Sequence, residues 1–227
     1  PEGTECAVAT SKVINLSDVF GDSDQTNKFV TRYLQSTHCD LFFADAAILV
    51  EGVAESMLLP HFIRSKFPEL YQRYITILGV NGRHAHRLSP LIEKLCLPTL
   101  VITDLDPAEK EGYHKSVVPK RGEGQISGNY AIAKWLMKEK DIDKLVDYSE
   151  DKKEFSFASP YRFSIRLAYQ TPVKVDFEGE EKEAIPGTFE DCLIYTNYDL
   201  FKKIKVTDSG NLVEQTHDLL NSNDTFE

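Results

Sequence analysis

Short apolar runs alternate with amphipathic segments through the first half of the chain. AAILV (46–50), YITILGV (74–80) and the apolar part of PTLVITDLDP (98–107) are short, bounded by polar residues and rich in aliphatic side chains. Runs of this length and composition are typical of buried strands. The segments 52–67 and 81–97 between them have helical character, and strand–helix alternation at this spacing predicts parallel βαβ units in an α/β sheet.

Two further helices and one interruption follow from the same pattern. Residues 27–44 have apolar positions on one side of a helix, with Phe29 and Tyr33 among them. Pro60 falls inside the helix predicted over 52–67, so we expect a kink or a break there.

The second half of the chain has a different character. Residues 108–125 are polar and contain glycine, which is typical of a long loop. A helix is predicted over 127–148, with Ser127 as its possible cap. The remaining predictions are a strand over 159–175 broken by Pro172, a charged hairpin tip over 176–184, an amphipathic helix over 187–204 and a frayed C-terminal helix.

The composition is that of an ordinary globular chain. Of 227 residues, 41% are hydrophobic and 27% are charged. No apolar stretch approaches the length that spans a membrane, and the first thirty residues lack the apolar core of a signal peptide. The four cysteines are scattered without metal-binding spacing. We therefore expect a cytoplasmic protein with reduced thiols and no membrane partner.

The formal net charge of -10 bears on possible partners. Taken alone it argues against nucleic-acid binding, which usually requires a basic surface. It is equally consistent with a protein that gathers acids at a metal site, where divalent cations would reverse the local sign of the charge.

Four acids follow the first and third predicted strands. Glu51 ends the first strand and Glu55 lies one helical turn later, whereas Asp104 and Asp106 end the third strand. Ligands of open α/β sheets bind at the carboxyl ends of strands, so these side chains should converge. Like charges in a partly buried place repel one another, and hard divalent cations such as Mg²⁺ relieve that repulsion.

A simpler interpretation exists for each acid by itself, because lone acids after strands are often helix caps or solvated loop residues. The pairing of EGxxE with DxD, each after an apolar strand and about fifty residues apart, favours a metal site.

Five segments resemble the C-terminal region of OLD (overcoming lysogenization defect) family nucleases, which carries a Toprim metal-binding domain. The resemblance covers 28–227 and points to class 2, whose genes commonly neighbour a UvrD-like helicase, as in Gabija-type bacterial phage defence. The segments are LFFADAAILVEGVAESMLLP, ILGVNGRHAHRLSPLIEKL, TLVITDLDP, RGEGQISGNYAIAKWL and GTFEDCLIY.

The resemblance implies a Toprim-type, Rossmann-like parallel sheet flanked by helices, with an additional mainly helical subdomain. It also divides the chain into five regions. These are an N-terminal helical lead-in (1–44), the Toprim core (45–110), a loop and helical insert (111–155), return strands with the GTFE helix (156–195) and a C-terminal helical segment (196–227).

The resemblance also implies the ligands and the chemistry. Two Mg²⁺ ions would drive phosphodiester hydrolysis, and Mn²⁺ or Ca²⁺ can substitute for them in binding. Ser127 and Asn129 match a polar pair of the family, which we interpret as a helix cap. The implied metal ligands are Glu51, Glu55, Asp104, Asp106 and Glu190, of which Glu51, Asp104 and Asp106 are the catalytic set. Without the resemblance, Glu190 is an ordinary acid in the first turn of a helix.

This chain departs from the family pattern in two ways. An N-terminal ABC-type ATPase is implied, but no GxxxxGK[ST] loop occurs, so we interpret the chain as a fragment of a longer protein. The family lysine that precedes Phe-Ala, the expected partner of the transition-state charge, has no K-x-x-F-A counterpart. Either this lysine lies outside the given sequence, or another lysine takes its place, for which Lys174 is a weak candidate.

Basic residues near the predicted site are candidates for DNA contact. NGRHAHR (81–87) follows the second strand, and its phosphate-binding interpretation stands beside that of a solvated loop. A second basic stretch lies in VVPKRGEGQ. The candidates are Arg83, His84, Arg87, Lys120 and Arg121.

The sequence therefore predicts a metal-dependent DNA endonuclease or nickase, with a homodimer as a family expectation. One alternative is a topoisomerase or primase type of Toprim module, for which any of the ten tyrosines could be the nucleophile of a topoisomerase. Another is a non-catalytic dimerisation or regulatory region in which the acids are structural.

Overall fold

The computed structural model describes Val13, Asn15 and residues 39–80, 84–110, 115–158 and 161–202. Nine strands and six α-helices lie in these ranges. The strands are β1 (Ala46–Val50), β2 (Ile75–Gly79), β3 (Thr99–Ile102), β4 (Pro107–Ala108), β5 (Ile126–Ser127), β6 (Glu154–Phe157), β7 (Phe163–Ala168), β8 (Val173–Phe177) and β9 (Glu180–Ala184). The helices are α1 (Val53–Lys66), α2 (Pro68–Tyr71), α3 (Ser89–Leu95), α4 (Ile142–Val146), α5 (Phe189–Thr196) and α6 (Tyr198–Phe201).

A five-stranded sheet in the order β2-β1-β3-β7-β6 forms the centre of the molecule. The pairs β1–β2, β1–β3 and β3–β7 are parallel, and only the edge strand β6 runs antiparallel to its neighbour. Ala47 to Val50 are buried because β1 has a neighbour on both sides and side chains packed on both faces. The prediction of an α/β fold with parallel βαβ units is confirmed.

Helix α1 runs without a break through Pro60, so the break allowed for at this residue was wrong. Proline lacks the N–H that would bond to the carbonyl four residues earlier, so α1 passes this residue with one backbone hydrogen bond fewer. Pro60 is exposed. The 14-residue helix therefore continues to Lys66 and carries Glu55 in its first turn.

The single helix predicted over 127–148 was wrong. Ser127 belongs to β5, which pairs with β4, and its backbone N–H donates to the carbonyl of Lys140 at 2.7 Å. A short π-helix spans Ala131–Trp135, and Lys138 has a φ of 54°, a left-handed conformation that ends helical geometry. The helical insert is thus two short helices held beside a small sheet.

Residues 172–202 form a satellite layer with its own apolar cluster. Strands β8 and β9 make a hairpin whose turn contains Gly179 at a φ of 85°. The charged segment 176–184 thus contains the predicted turn, but its residues Glu180–Ala184 form a strand. Helices α5 and α6 pack on this hairpin through Ile194 and Tyr198, and Asn197 separates the two helices. The helix predicted over 187–204 is therefore two helices.

Several expectations fall outside the described residues. The helix predicted over 27–44 overlaps them only at 39–44, where a 3₁₀ turn spans Cys39–Phe42. The C-terminal helical segment is described only to Lys202. In the described ranges, no helix has the length and apolar character needed to cross a membrane.

Candidate metal centre

The parallel pairing of β1 with β3 brings Glu51 to the DxD motif. Ala47 is aligned with Thr99 in the shared ladder, so the two strands end side by side at their carboxyl termini. One oxygen of Glu51, Oε2, accepts hydrogen bonds from the Thr103 hydroxyl at 2.6 Å and from the Asp104 backbone N–H at 2.9 Å. The first and third predicted strands thus meet at their acids.

Asp104 is held from the opposite side of the motif by Gln170, which follows the neighbouring strand β7. The Gln170 amide donates to Asp104 Oδ1, and its carbonyl oxygen accepts from the Leu105 N–H at 2.8 Å. Burial raises the pKa of the Asp104 carboxyl to about 7, with further raising contributions from Glu51, Glu55 and Asp106. The Gln170 hydrogen bond acts in the opposite direction.

Glu55 occupies the third position of helix α1 and folds back over the start of that helix. It is buried, and this burial raises its pKa, while Glu190 and Glu51 add to the effect and the backbone N–H groups of Glu55 and Gly52 oppose it. A Cβ on Gly52 would lie 2.5 Å from Glu55 Oε2. Glycine at position 52 therefore leaves room for the Glu55 carboxylate in this position, which a larger residue would displace.

Asp106 stands at a backbone corner between β3 and β4. Its φ of 48° is left-handed, a conformation in which aspartate is enriched among residues other than glycine. The Asp106 carbonyl accepts from the Gly128 N–H at 2.8 Å, which ties the corner to the start of the following helical turn. Asn129 donates to Asp106 Oδ2 at 3.3 Å.

Glu190 lies in the first turn of α5, which begins with a capping box. Thr188 accepts from the Asp191 N–H at 3.2 Å, and the Asp191 carboxylate accepts from the Thr188 N–H at 3.1 Å. Asp191 thereby performs the capping, and the exposed Glu190 is left to face Glu55, whose pKa it raises.

Three polar residues that complete this constellation were missed as functional residues: Thr103, Asn129 and Gln170. Asn129 matches a polar pair of the family, but we interpreted it as a helix cap. Gln170 lies 66 residues from its partner Asp104 and gave no local signal. Thr103 directly precedes the DxD motif, and this position was its only sequence clue.

The basic residues predicted to contact DNA in the 81–87 segment lie in different surroundings. Arg83 lies outside the described residues. His84 is half-buried near Glu51. Its imidazole pKa is lowered, first by burial and then by the positive charge of Arg87, while the negative charge of Glu51 acts in the opposite direction. Arg87 lies on the adjoining 3₁₀ turn.

Lys120 and Arg121 have different surroundings although they are adjacent. Arg121 donates to Asp147 at 2.8 Å and to Glu183 at 3.2 Å, so its guanidinium ties the 120s loop to α4 and to the β8–β9 hairpin. Lys120 lies 4.0 Å from Glu123 and lines a cleft that also contains Asp104 and Asp106. Of the two, only Lys120 is among the residues that line this cleft.

Two more lysines, Lys110 and Lys115, line the same cleft. Lys174, the candidate substitute for the family lysine, is highly exposed on the hairpin and pairs with Glu181 at 2.6 Å. It is not among the residues that line the cleft. The structure thus places Lys110 and Lys115, but not Lys174, in the cleft with the acids.

The donor chemistry of the acids fits a hard divalent cation. Burial and neighbouring carboxylates raise the pKa of Asp104 and of Glu55, and a divalent cation bound beside them would relieve this opposition to ionisation. Within the described ranges, however, no group of three His, Cys, Asp or Glu side chains stands in an arrangement that could hold an ion as it is. One oxygen of each of two acids, Glu51 Oε2 and Asp104 Oδ1, is instead turned toward protein donors.

A mostly parallel, Rossmann-like sheet with EGxxE after one strand and DxD after its neighbour defines a Toprim domain. The family model described as "Overcoming lysogenization defect protein-like, TOPRIM domain" matches residues 42–106, which include β1, β3 and both motifs. Residues 42–106 are therefore an OLD-like Toprim domain.

The chain is also similar to Endonuclease GajA from Bacillus cereus (strain HuB5-5). The two are 28% identical over 175 residues, which is 77% of this chain and 23% of that protein. The chain thus spans less than a quarter of the length of this relative. No solved structure gives a significant match.

Proposed function

We propose that this region is the catalytic part of a metal-dependent DNA endonuclease or nickase. The observation that carries the proposal is the meeting of the two motifs, in which Glu51 Oε2 accepts the N–H of Asp104 at 2.9 Å. The Toprim match and the similarity to a protein named as an endonuclease support this function class. No side-chain nucleophile is required, because water attacks the phosphodiester.

The chain's own residues would divide the work. Glu51, Asp104 and Asp106 offer carboxylate oxygens at the ends of β1 and β3, and Glu55 with Glu190 offers a second set between α1 and α5. Two bound Mg²⁺ ions would activate water and stabilise the charge on the phosphate and the leaving oxygen, with Mn²⁺ or Ca²⁺ as substitutes in binding. Hydrogen bonds from Gln170 and Thr103 keep the carboxylates oriented.

We also propose that the chain acts within a longer polypeptide that supplies an ATPase region. The similarity to GajA extends over 23% of that protein, which supports this organisation. A homodimer and a UvrD-like helicase partner stay predictions from the family resemblance.

Nicking and linearisation of supercoiled plasmid test the function, with Mg²⁺, Mn²⁺ or EDTA in parallel reactions. Cleavage should require the divalent ion and should be abolished by Glu51→Gln and by Asp104→Asn. Asp45→Asn is a matched control because Asp45 stands at the opposite end of β1, where its carboxylate accepts the Tyr74 N–H at 3.0 Å. That variant should cut like the parent.

Three outcomes would contradict the proposal in different ways. Cleavage that survives both substitutions would place the chemistry outside these acids. A covalent protein–DNA adduct would indicate a topoisomerase. Unchanged calorimetric binding of Mn²⁺ by both acid variants, with no cleavage by any form, would favour a non-catalytic region.

A further inference from the structure

A buried chain of hydrogen bonds leads from Asn129 through Thr103 to Glu51. Asn129 Nδ2 donates to Thr103 Oγ1 at 2.7 Å, and Thr103 Oγ1 donates to Glu51 Oε2 at 2.6 Å. The relative exposure of Asn129 is 0% and that of Thr103 is 2%. Both side chains are thus removed from water, and their polar atoms are used within the protein.

The direction of each bond follows from donor chemistry. The Ala131 N–H can only donate, and it donates to Asn129 Oδ1 at 2.9 Å, so the amide orientation of Asn129 is fixed. Its NH₂ group must then face Thr103. Because a hydroxyl carries one proton, Thr103 accepts from Asn129 and gives its own proton to Glu51.

The arrangement assigns different tasks to the two oxygens of Glu51. Oε2 accepts from Thr103, from the Asp104 N–H and, at 3.4 Å, from Asn129. Each of these three hydrogen bonds from described residues goes to Oε2 and none of them to Oε1. A carboxylate held through one oxygen presents the other in a defined direction.

Asn129 also connects the two acid motifs directly. Its Nδ2 lies 3.4 Å from Glu51 Oε2 and 3.3 Å from Asp106 Oδ2, so one amide group touches an acid from each motif. The backbone of Asn129 is tied in turn to Ser127 Oγ, which accepts its N–H at 3.2 Å. The amide is therefore fixed before any ligand arrives.

We propose that Asn129 and Thr103 are positioning residues that orient Glu51 and Asp106 for divalent-cation binding. The inference rests on the proposed function, because it assumes that these acids are ligands. It goes beyond a helix-capping role for Asn129, which needs only the bond to Ala131. Polar groups that orient metal ligands typically change metal affinity about 10–100-fold when removed.

The two roles of Asn129 can be separated by Asn129→Ser. Serine is about as good a cap as asparagine and can accept the Ala131 N–H, but it is too short to reach Thr103 and Glu51. At Thr103, Thr103→Val removes the hydroxyl and Thr103→Ser restores it. Thr99→Val is the matched control, because Thr99 lies at the other end of β3, is buried and donates only to the Leu97 carbonyl at 2.8 Å.

The experiment is calorimetric titration of the metal-free chain with Mn²⁺, after thermal unfolding has shown that each variant is folded. Asn129→Ser and Thr103→Val should each bind Mn²⁺ about 10–100-fold more weakly than the parent. Thr103→Ser and Thr99→Val should bind with the affinity of the parent.

Each alternative outcome has a separate meaning. Parental Mn²⁺ affinity in both Asn129→Ser and Thr103→Val would overturn the positioning role and leave the proposed nuclease function intact. Equal weakening by Thr99→Val and Thr103→Val would also overturn it, since a general loss of stability would then be the cause. If the parent and Glu51→Gln bind Mn²⁺ equally, the ligand set of the proposed function is wrong, and the positioning role falls with it.

Discussion

At the scale of single residues, Asp104 links the acid cluster to pH. Its folded-state pKa of about 7 lies above the ordinary value of 3.8, because burial and neighbouring carboxylates oppose ionisation. The folded state therefore holds more protons than the unfolded state between these values, and this contribution to stability falls as pH rises from about 4 to about 7. The contribution is fully present below that window.

We therefore predict that the melting temperatures of the parent and of Asp104→Asn, both measured in EDTA, depend differently on pH. The melting temperature of the parent should decline relative to that of the variant as the pH is raised from about 4 to about 7, because asparagine does not ionise. Mg²⁺ should remove most of this decline in the parent, since ion binding favours the charged carboxylate. Parallel melting curves of the two proteins across the window would contradict the assignment.

Gly52 gives a second prediction at this scale. Alanine there would place a methyl group 2.5 Å from Glu55 Oε2, so the flexible carboxylate must move. We expect Gly52→Ala to fold, at a cost of about 1 kcal/mol, but to bind Mn²⁺ at least about tenfold more weakly in calorimetry.

Gly79→Ala is the control for Gly52→Ala. A Cβ on Gly79 would meet Ser56 Oγ at 3.4 Å, which is ordinary contact, and Gly79 ends β2 rather than β1 or β3. This variant should keep the Mn²⁺ affinity of the parent. Similar affinities in the two alanine variants would show that the position of Glu55 does not matter for binding.

At the scale of elements, the sequence predicted the sheet best where strands are buried on both faces. β1, β2 and β3 appear as continuous apolar runs, and their parallel order follows from the helices between them. The same logic predicted that Glu51 and Asp104 would meet, because neighbouring parallel strands end at one edge. Local pattern was sufficient for these features.

Elements whose shape depends on distant contacts could not be predicted in this way. From the local sequence Ser127 looks like a helix cap, but it belongs to a strand because it pairs with β4. The π-helix over Ala131–Trp135 is too short for its apolar spacing to distinguish it from an α-helix. Gln170 reaches Asp104 only because β7 lies beside β3. No short sequence segment around Gln170 indicates its contact with Asp104, which is 66 residues away in the chain.

At the scale of the whole molecule, the net charge of -10 opposes binding to a polyanion. The cleft carries three lysines, Lys110, Lys115 and Lys120, but five acids, Asp104, Asp106, Glu109, Glu123 and Asp191, line it as well. Divalent cations on the acids would make this one region positive while the rest of the surface stays negative. We therefore predict that binding to DNA depends on a divalent cation even when no cleavage occurs.

Fluorescence anisotropy of labelled duplex DNA measures this dependence, with Ca²⁺ as an ion that can support binding. Binding should appear in Ca²⁺ and vanish in EDTA, and Glu51→Gln should weaken the Ca²⁺-dependent part. Binding that is as strong in EDTA as in Ca²⁺ would contradict the role of the acids in substrate binding. The slope of log affinity against log salt reports the phosphate contacts, at about 0.9 for each phosphate neutralised.

Lys120→Ala should reduce that salt slope by about 1 and weaken binding to unrelated sequences equally, because a lysine–phosphate contact does not read bases. Lys152→Ala is the control, since Lys152 is exposed on the turn before β6 and is not among the residues that line the cleft. Both variants lose one positive charge, so they change the overall field of the protein equally. If only Lys120→Ala reduces the salt slope, the DNA backbone lies in the cleft. If both variants reduce the salt slope equally, the slope depends only on the net charge of the protein.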